Sequence, residues 1–195
     1  MKVNDIITFG TYPQTKYTDE VSPLEWKVLK AEDGKALIIT DKIIDQVRFN
    51  EKYADVTWAD SILRGWLNNE FFNKAFTADE KEKILTTAVS TPDNAKWGTK
   101  GGADTEDKVF ALSIQELEEL IPELNDRRAV ATGKALENGV YIYAETGFSV
   151  WWLRSSGYVQ YAGARVGAGG HIEDKIYDDV RPHRGVRPVM WIKAN

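Results

Sequence analysis

The first third of the chain alternates apolar and charged positions, a pattern that predicts β-strands. One short apolar run covers residues 6–9 and ends at Gly10, and residues 24–30 alternate Leu, Trp and Val with charged side chains. An Asp-Gly pair at 33–34 precedes another apolar run over residues 36–40. Because Asp-Gly favours the tight turn of a hairpin, the last two runs are predicted to pair as antiparallel strands.

Apolar residues at helical spacing predict helices in the middle of the chain. One amphipathic helix is expected over residues 62–67 and is expected to end at Asn68, with a second short helical turn behind it. Capping-box sequences at Thr77 and Ser113 predict two further helix starts. Residues 127–136 are expected to form one more helix.

The segment 150–192 has a different character from the rest of the chain. It begins with Trp151-Trp152-Leu153-Arg154-Ser155 and ends with Gly185-Val186-Arg187-Pro188 and a β-rich run, so both ends are predicted to be buried strands. Between them, residues 158–184 include both histidines but no Leu, Phe, Met or Trp. This shortage of large aliphatic side chains indicates an exposed, adaptable surface carried by the two strands.

These two motifs, with the upstream blocks 7–14, 25–29 and 61–69, resemble a bacterial and phage family. Its members are the variable proteins of diversity-generating retroelements and undiversified relatives of the same domain. The resemblance implies an α+β, C-type lectin-like fold with two main helices packed on small antiparallel sheets. It also implies a single domain over residues 1–195, with a ligand-presenting variable region at 150–192.

The resemblance further implies which side chains meet a ligand. In that family, diversification replaces adenines in Asn codons, which yields Tyr, Val, Ala, Gly, Asp, Arg, His or Pro. The positions that we expect to vary and to bind ligand, every one of which carries such a residue, are Tyr158, Val159, Tyr161, Arg165, Gly167, Ala168, His171, Asp174, Tyr177, Asp178, Asp179, Arg181, Pro182, His183 and Arg184. Their side chains are expected to be mostly exposed and to cluster on one face.

Composition and charge narrow the function further. A net charge of −5 argues against a nucleic-acid partner, because such proteins neutralise phosphates with Lys and Arg. The absence of cysteine excludes disulfides and thiol chemistry. The N-terminal residues lack the apolar core of a signal peptide, and no apolar run reaches the roughly 20 residues that span a bilayer. We therefore expect a soluble protein without membrane insertion, located in the cytoplasm or on a virion.

Metal sites and buried arginines raise separate questions. His171 and His183 could bind zinc only with a third ligand, which Asp174, Asp178 or Asp179 could supply because cysteine is absent, and surface histidines are the simpler interpretation. The polar residues 90–107 are expected to form a surface loop, although the oxygen-bearing pair Asp93-Asn94 leaves calcium open. Arg154 and Arg187, each flanked by apolar residues, are predicted to bind structural partners inside the protein.

Together these observations favour a ligand-binding module, without cofactor, metal or catalysis, whose partner is an unknown protein or surface ligand. Two alternatives stay open from the sequence. One is a hydrolase-type enzyme that uses His183 and neighbouring carboxylates. The other is a purely structural domain of a phage or surface assembly.

Overall fold

Strands dominate the structure, a computed structural model that describes residues 1–175 and 184–194. Strands make up 32% and helices 20%, arranged as a curled half-barrel sheet with only short helices. The expected α+β, C-type lectin-like fold, with two main helices packed on small sheets, is therefore wrong. In the described part of the chain, no α-helix is longer than the seven residues of Ile114–Leu120.

The described residues form eleven strands and six short α-helices. The strands are β1 (Ile6–Pro13), β2 (Val21–Glu32), β3 (Lys35–Thr40), β4 (Asp45–Gln46), β5 (Thr87–Val89), β6 (Thr105–Asp107), β7 (Trp151–Ser156), β8 (Gly163–Val166), β9 (Ile172–Glu173), β10 (Gly185–Val186) and β11 (Val189–Lys193). The α-helices are α1 (Ile62–Trp66), α2 (Phe72–Ala75), α3 (Ala78–Lys81), α4 (Ile114–Leu120), α5 (Leu124–Arg127) and α6 (Gly133–Glu137). A 3₁₀ turn, Trp58–Asp60, precedes α1, and a π-helical turn, Leu67–Phe71, joins α1 to α2.

The first sheet is antiparallel, with strand order β1-β2-β3-β11. The predicted hairpin between β2 and β3 is confirmed. Asp33 and Gly34 take φ angles of 46° and 74°, the left-handed conformation that a tight primed turn requires. Strand β11 closes this sheet against β3, so residues from opposite ends of the chain share one layer.

Strand β1 runs further than the sequence predicts. It was expected to end at Gly10 but continues to Pro13, because the register shifts between Thr8 and Thr11 and the strand absorbs the irregularity. Gly10 lies at this shift with φ 69°, a conformation that favours glycine. A Cβ atom there would also lie 2.6 Å from the ring of Phe76, so the sheet and the helical segment approach closely only because this residue is glycine.

The second sheet has strand order β4-β10-β7-β8-β9, with β7 at its centre. Every residue of β7 is buried, the apolar run at its start and the polar residues Arg154, Ser155 and Ser156 alike. The indole N–H groups of Trp151 and Trp152 donate to the carbonyls of Arg127 at 3.0 Å and Val47 at 2.8 Å. Both tryptophans belong to one core with the apolar residues of β10 and β11, while Trp191 is only partly buried at its edge.

The helical segment after residue 61 does not end at Asn68 as expected. The chain stays helical through the π turn to Ala75. The Asn68 amide nitrogen donates to the carbonyl of Val109 at 2.9 Å, and its oxygen accepts from Lys108 N at 2.8 Å. Asn68 therefore satisfies the backbone of a neighbouring segment instead of capping its own helix, which sequence spacing does not reveal.

The helix expected over residues 127–136 is also wrong. The chain forms α5, then leaves the helix, and α6 begins only after Thr132. Between them Ala129 and Ala131 make isolated bridges to Ser149 and Ile43, so strand-like pairing replaces the helical turns. The capping boxes at Thr77 and Ser113 are confirmed, each with both reciprocal hydrogen bonds.

Candidate ligand-binding cleft

A cleft of about 320 Å³ opens between the polar loop, residues 90–107, and the two elements that face it, α4 and β9. Its wall combines aliphatic side chains with amide, ammonium and carboxylate groups. The lining residues are Pro92, Asn94, Ala95, Lys96, Ile114, Gln115, Glu118, Ser155, Ile172 and Asp174. Such a mixture is usual for a binding site, in which apolar contacts give area and a few polar groups fix orientation.

Arg154 joins two walls of the cleft. Its side chain is buried, and its guanidinium forms a bidentate pair with the Glu116 carboxylate on α4. The same guanidinium donates to the carbonyl of Ser90 at 2.9 Å and to the Thr91 hydroxyl at 3.2 Å. A further bond reaches the carbonyl of Ala111 at 2.8 Å. Arg154 therefore has the structural role that the sequence predicts, because its donors hold the start of the polar loop against α4.

The far end of the polar loop is held by Asp107, which is buried. Its carboxylate accepts from the Trp58 indole at 2.9 Å, the Thr105 hydroxyl at 2.7 Å and Arg64 Nε at 2.7 Å. Because a buried carboxylate needs several donors, this arrangement fixes the loop to the helical segment at residues 58–64. The polar loop is therefore anchored at both ends.

Inside the loop, Asn94 shapes the turn that borders the cleft. Its amide nitrogen donates to the carbonyl of Ser156 at 2.8 Å. Its amide oxygen accepts from the backbone N–H groups of Lys96 at 3.0 Å and Trp97 at 3.3 Å. This Asx-type turn holds the backbone of Lys96, whose side chain lines the cleft, and of Trp97, whose ring belongs to its lip.

Asp93 uses its carboxylate within the loop. Lys100 Nζ lies 2.7 Å from Oδ2, and the Gly101 amide donates to Oδ1 at 3.0 Å. The Lys100 bond, followed by the Gly101 bond, lowers the pKa of the Asp93 carboxyl below its ordinary value. Among the described residues, no group of three or more His, Asp or Glu side chains is placed to hold a metal ion. The Asp93 carboxylate, which calcium would need as a ligand, is thus already paired with the Lys100 ammonium.

The charged side chains of the cleft come from three separate segments. Lys96 Nζ lies 3.1 Å from Oδ1 of Asp174, and the two side chains are 61% and 12% exposed. Glu118 projects from α4 as an exposed carboxylate and has no ion-pair partner among the described residues. Counted over the described residues, the cleft wall therefore carries two carboxylates and one ammonium group.

Aromatic rings form a lip beside these charges. The rings of Trp97 and Tyr158 meet edge to face, with centroids 4.8 Å apart and an interplanar angle of 89°. Lys96 Nζ lies 4.6 Å from the Trp97 ring centroid. The backbone N–H of Tyr158 donates to the carbonyl of Asp174 at 2.6 Å, so lip and cleft wall are directly joined.

The described candidate residues from the sequence are dispersed. Tyr158 and Asp174 lie at the cleft. Tyr161 packs edge to face against Tyr53, with ring centroids 5.6 Å apart. Arg165 is paired with Glu173 at 2.7 Å. Arg184 lines a separate, smaller hollow with Tyr141, Tyr143 and Val150. Six further candidates lie outside the described residues: Tyr177, Asp178, Asp179, Arg181, Pro182 and His183.

The described candidates are less exposed than expected. Only His171 is exposed, whereas Gly167, Ala168 and Asp174 are buried and the others are half-buried. Strand β8 lies between β7 and β9, and three of its four residues are buried, as are the first two residues of the turn that follows it. A Cβ atom on Gly167 would lie 2.2 Å from the carboxylate of Glu173, so a larger residue there would displace that side chain.

Sequence reasoning missed most of the cleft. The sequence predicts that Lys96 and Trp97 lie in a plain surface loop. Gln115 and Glu118 belong to a helix that the sequence predicts from the capping box at Ser113 alone. One usable signal was the i, i+3 spacing of Gln115 and Glu118, which places both polar side chains on one helix face. That face and β9 line the same cleft although they are distant in the chain, and such a juxtaposition has no local signature.

A sequence model of one family, described as a domain of unknown function (DUF6273), matches residues 33–194. The match covers well over half of the chain, so the protein belongs to this family. It includes every residue of the cleft wall, while β1 and β2 precede it. No curated protein and no solved structure matches the chain. Among the described helices, none has the length and apolar character needed to cross a bilayer.

Proposed function

We propose that the protein is a binding module that takes a short segment of a protein ligand in the cleft and catalyses no reaction. The observation that carries the proposal is the cleft itself, with Ile114 and Ile172 beside amide and carboxylate groups at an aromatic lip. Tyr and Trp supply large contact areas at low entropic cost, which is why they dominate protein-binding surfaces.

The size of the cleft favours a ligand segment of one or two side chains. Its volume of about 320 Å³ lies at the lower end of the roughly 300–1,000 Å³ usual for ligand sites. A large cofactor would not fit, whereas an inserted side chain and its neighbours on the lip would. Variation at Tyr158 and Asp174, as the sequence resemblance implies, would alter this same site.

The chemistry of the wall favours binding over hydrolysis. Ser155 is the hydroxyl group of the wall, and its Oγ accepts from the backbone N–H of Ile114 at 3.0 Å. In the described part of the chain, the wall has no histidine. A serine nucleophile needs an adjacent base to remove its proton, and no such base is paired with Ser155 among these residues.

Selection of peptides from a random display library on the immobilised protein tests the proposal. Ala95 lies exposed on the cleft wall, so Ala95→Trp fills the cleft without disturbing the core. Ala78, exposed on α3 and outside the wall, provides the matched control Ala78→Trp. Titration calorimetry then measures the affinity of each enriched peptide for the three proteins.

We expect enriched peptides whose affinity falls at least about tenfold with Ala95→Trp, because an interface loses that much when about 1.4 kcal/mol of contact is blocked. The Ala78→Trp protein should bind like the parent. Failure to enrich any peptide, or equal binding to all three proteins, would contradict the proposal.

A further inference from the structure

The groups around the Lys96 ammonium are those of a cation-binding site. It is held between the Asp174 carboxylate, at 3.1 Å, and the face of the Trp97 ring, at 4.6 Å from the centroid. The Tyr158 ring stands perpendicular to that of Trp97, with the two centroids 4.8 Å apart. A carboxylate combined with aromatic rings is the arrangement that recognises ammonium and guanidinium groups.

The two partners of the ion pair differ sharply in exposure. The Asp174 side chain is 12% exposed and fixed in the wall, whereas Lys96 is 61% exposed on a loop. A mostly desolvated carboxylate requires a cation, but a flexible exposed lysine loses conformational freedom when it supplies one. Asp174 is thus the permanent part of the site, and Lys96 is an exchangeable occupant.

Glu118 is the other charged residue of the described cleft wall, and its carboxylate has the same sign as that of Asp174. Glu118 faces the cleft from α4, so displacement of Lys96 would leave two carboxylates on the wall. Summed over the described lining residues, the cleft then carries a net negative charge, which a cationic group of the ligand would balance. Solvent would screen an exposed pair with Glu118, so Asp174 and the rings supply most of the selectivity.

We infer that the cleft recognises a cationic side chain, Lys or Arg, of its protein ligand, and this inference rests on the proposed function. The cationic group of that side chain replaces the Lys96 ammonium between Asp174 and Trp97. Lys96 therefore acts as a built-in competitor that keeps the site closed to weak cations. The ligand must form better contacts than the resident ammonium, which raises the selectivity of the site at the expense of affinity.

Titration of the protein with the tripeptide acetyl-Ala-Arg-Ala-amide, followed by NMR at the Trp97 indole N–H, tests this inference. The matched probe carries citrulline in place of arginine, which keeps the shape and removes the charge. The variants are Lys96→Met, which removes the occupant, and Asp174→Asn, which removes the carboxylate charge. Lys52→Met, at an exposed lysine outside the cleft, is the control.

Removal of an occupant raises the competent fraction of the site, so Lys96→Met should tighten arginine binding by at least about fivefold. Asp174→Asn should weaken it by a similar factor or more, and Lys52→Met should leave it unchanged. The citrulline peptide should bind weakly to every variant. Equal affinity for the two peptides, or no gain with Lys96→Met, would overturn the inference.

The outcome is separable from that of the proposed function. Library peptides that lack Lys and Arg, bind in a manner blocked by Ala95→Trp and ignore Asp174→Asn would refute cation recognition while supporting a binding cleft. Loss of all peptide binding to the folded parent protein would refute both.

Discussion

The Arg154–Glu116 pair gives the sharpest test of how the cleft walls are held together. Replacing Arg154 by Met keeps much of the side-chain volume but leaves the carbonyls of Ser90 and Ala111 without this donor, and Glu116 without a cation. Removal of one partner from a buried ion pair costs about 3–5 kcal/mol. Because Glu116 remains 34% exposed, solvent recovers part of that loss. We therefore expect the free energy of unfolding to fall by about 2–4 kcal/mol.

A second variant separates the pair from its surroundings. Glu116→Gln removes the charge but keeps an oxygen that accepts from the Ser113 N–H of the capping box. Loss of one charge-assisted interaction is expected to cost about 1–2 kcal/mol. Because both substitutions remove the same interaction, the two single losses should together exceed the loss in the double variant by at least about 1 kcal/mol.

Urea unfolding of the parent, both single variants and the double variant at neutral pH measures this coupling. Lys52→Met serves as the surface control and should shift the free energy of unfolding by less than about 0.5 kcal/mol. If the single losses add within about 0.5 kcal/mol, with unchanged denaturant dependence, the pair does not hold the walls.

Two further predictions concern the core and the polar loop. Trp152→Ala should lower the free energy of unfolding by about 3–5 kcal/mol in urea titrations, because the ring is 1% exposed and packs on Phe49; a near-normal stability would remove Trp152 from the core. Lys100 and Gly101 hold the pKa of Asp93 below its usual 3.8. The bonds of its carboxylate to these two residues are therefore complete above pH 3.8 and are lost as the pH falls through the lowered pKa. Hydrogen exchange at the Gly101 amide should therefore accelerate at low pH beyond its intrinsic trend, whereas Asp93→Asn should show no such step.

The sequence predicts the parts of the fold that depend on neighbours in the chain. The Asp33-Gly34 hairpin, the capping boxes at Thr77 and Ser113, and the buried strand at Trp151 all follow from local spacing. The architecture does not, because it depends on which strands pair. No residue near Val189 indicates that its strand lies beside β3. The Asn68 side chain donates to the carbonyl of Val109, about 40 residues away, and local patterns do not encode such a separation.

The candidate site shows the same division. Of the expected ligand-binding residues, Tyr158 and Asp174 reach the cleft, but Gly167 and Ala168 are buried in the turn that joins β8 to β9. A composition poor in large aliphatics was taken to mean exposure, yet small residues are also what closely packed strands require. Diversification of these positions stays a prediction of the sequence alone.

The pairing of β11 with β3 has a consequence for how the protein reaches its native state. The chain between Val189 and its partner Ile39 is on the order of 150 residues, so closing that loop costs considerable entropy before any contact repays it. Domains dominated by such distant pairings fold slowly. During synthesis, the edge of β3 that pairs with β11 stays unpaired until β11 has left the ribosome, and an unpaired strand edge is a site for aggregation or chaperone binding.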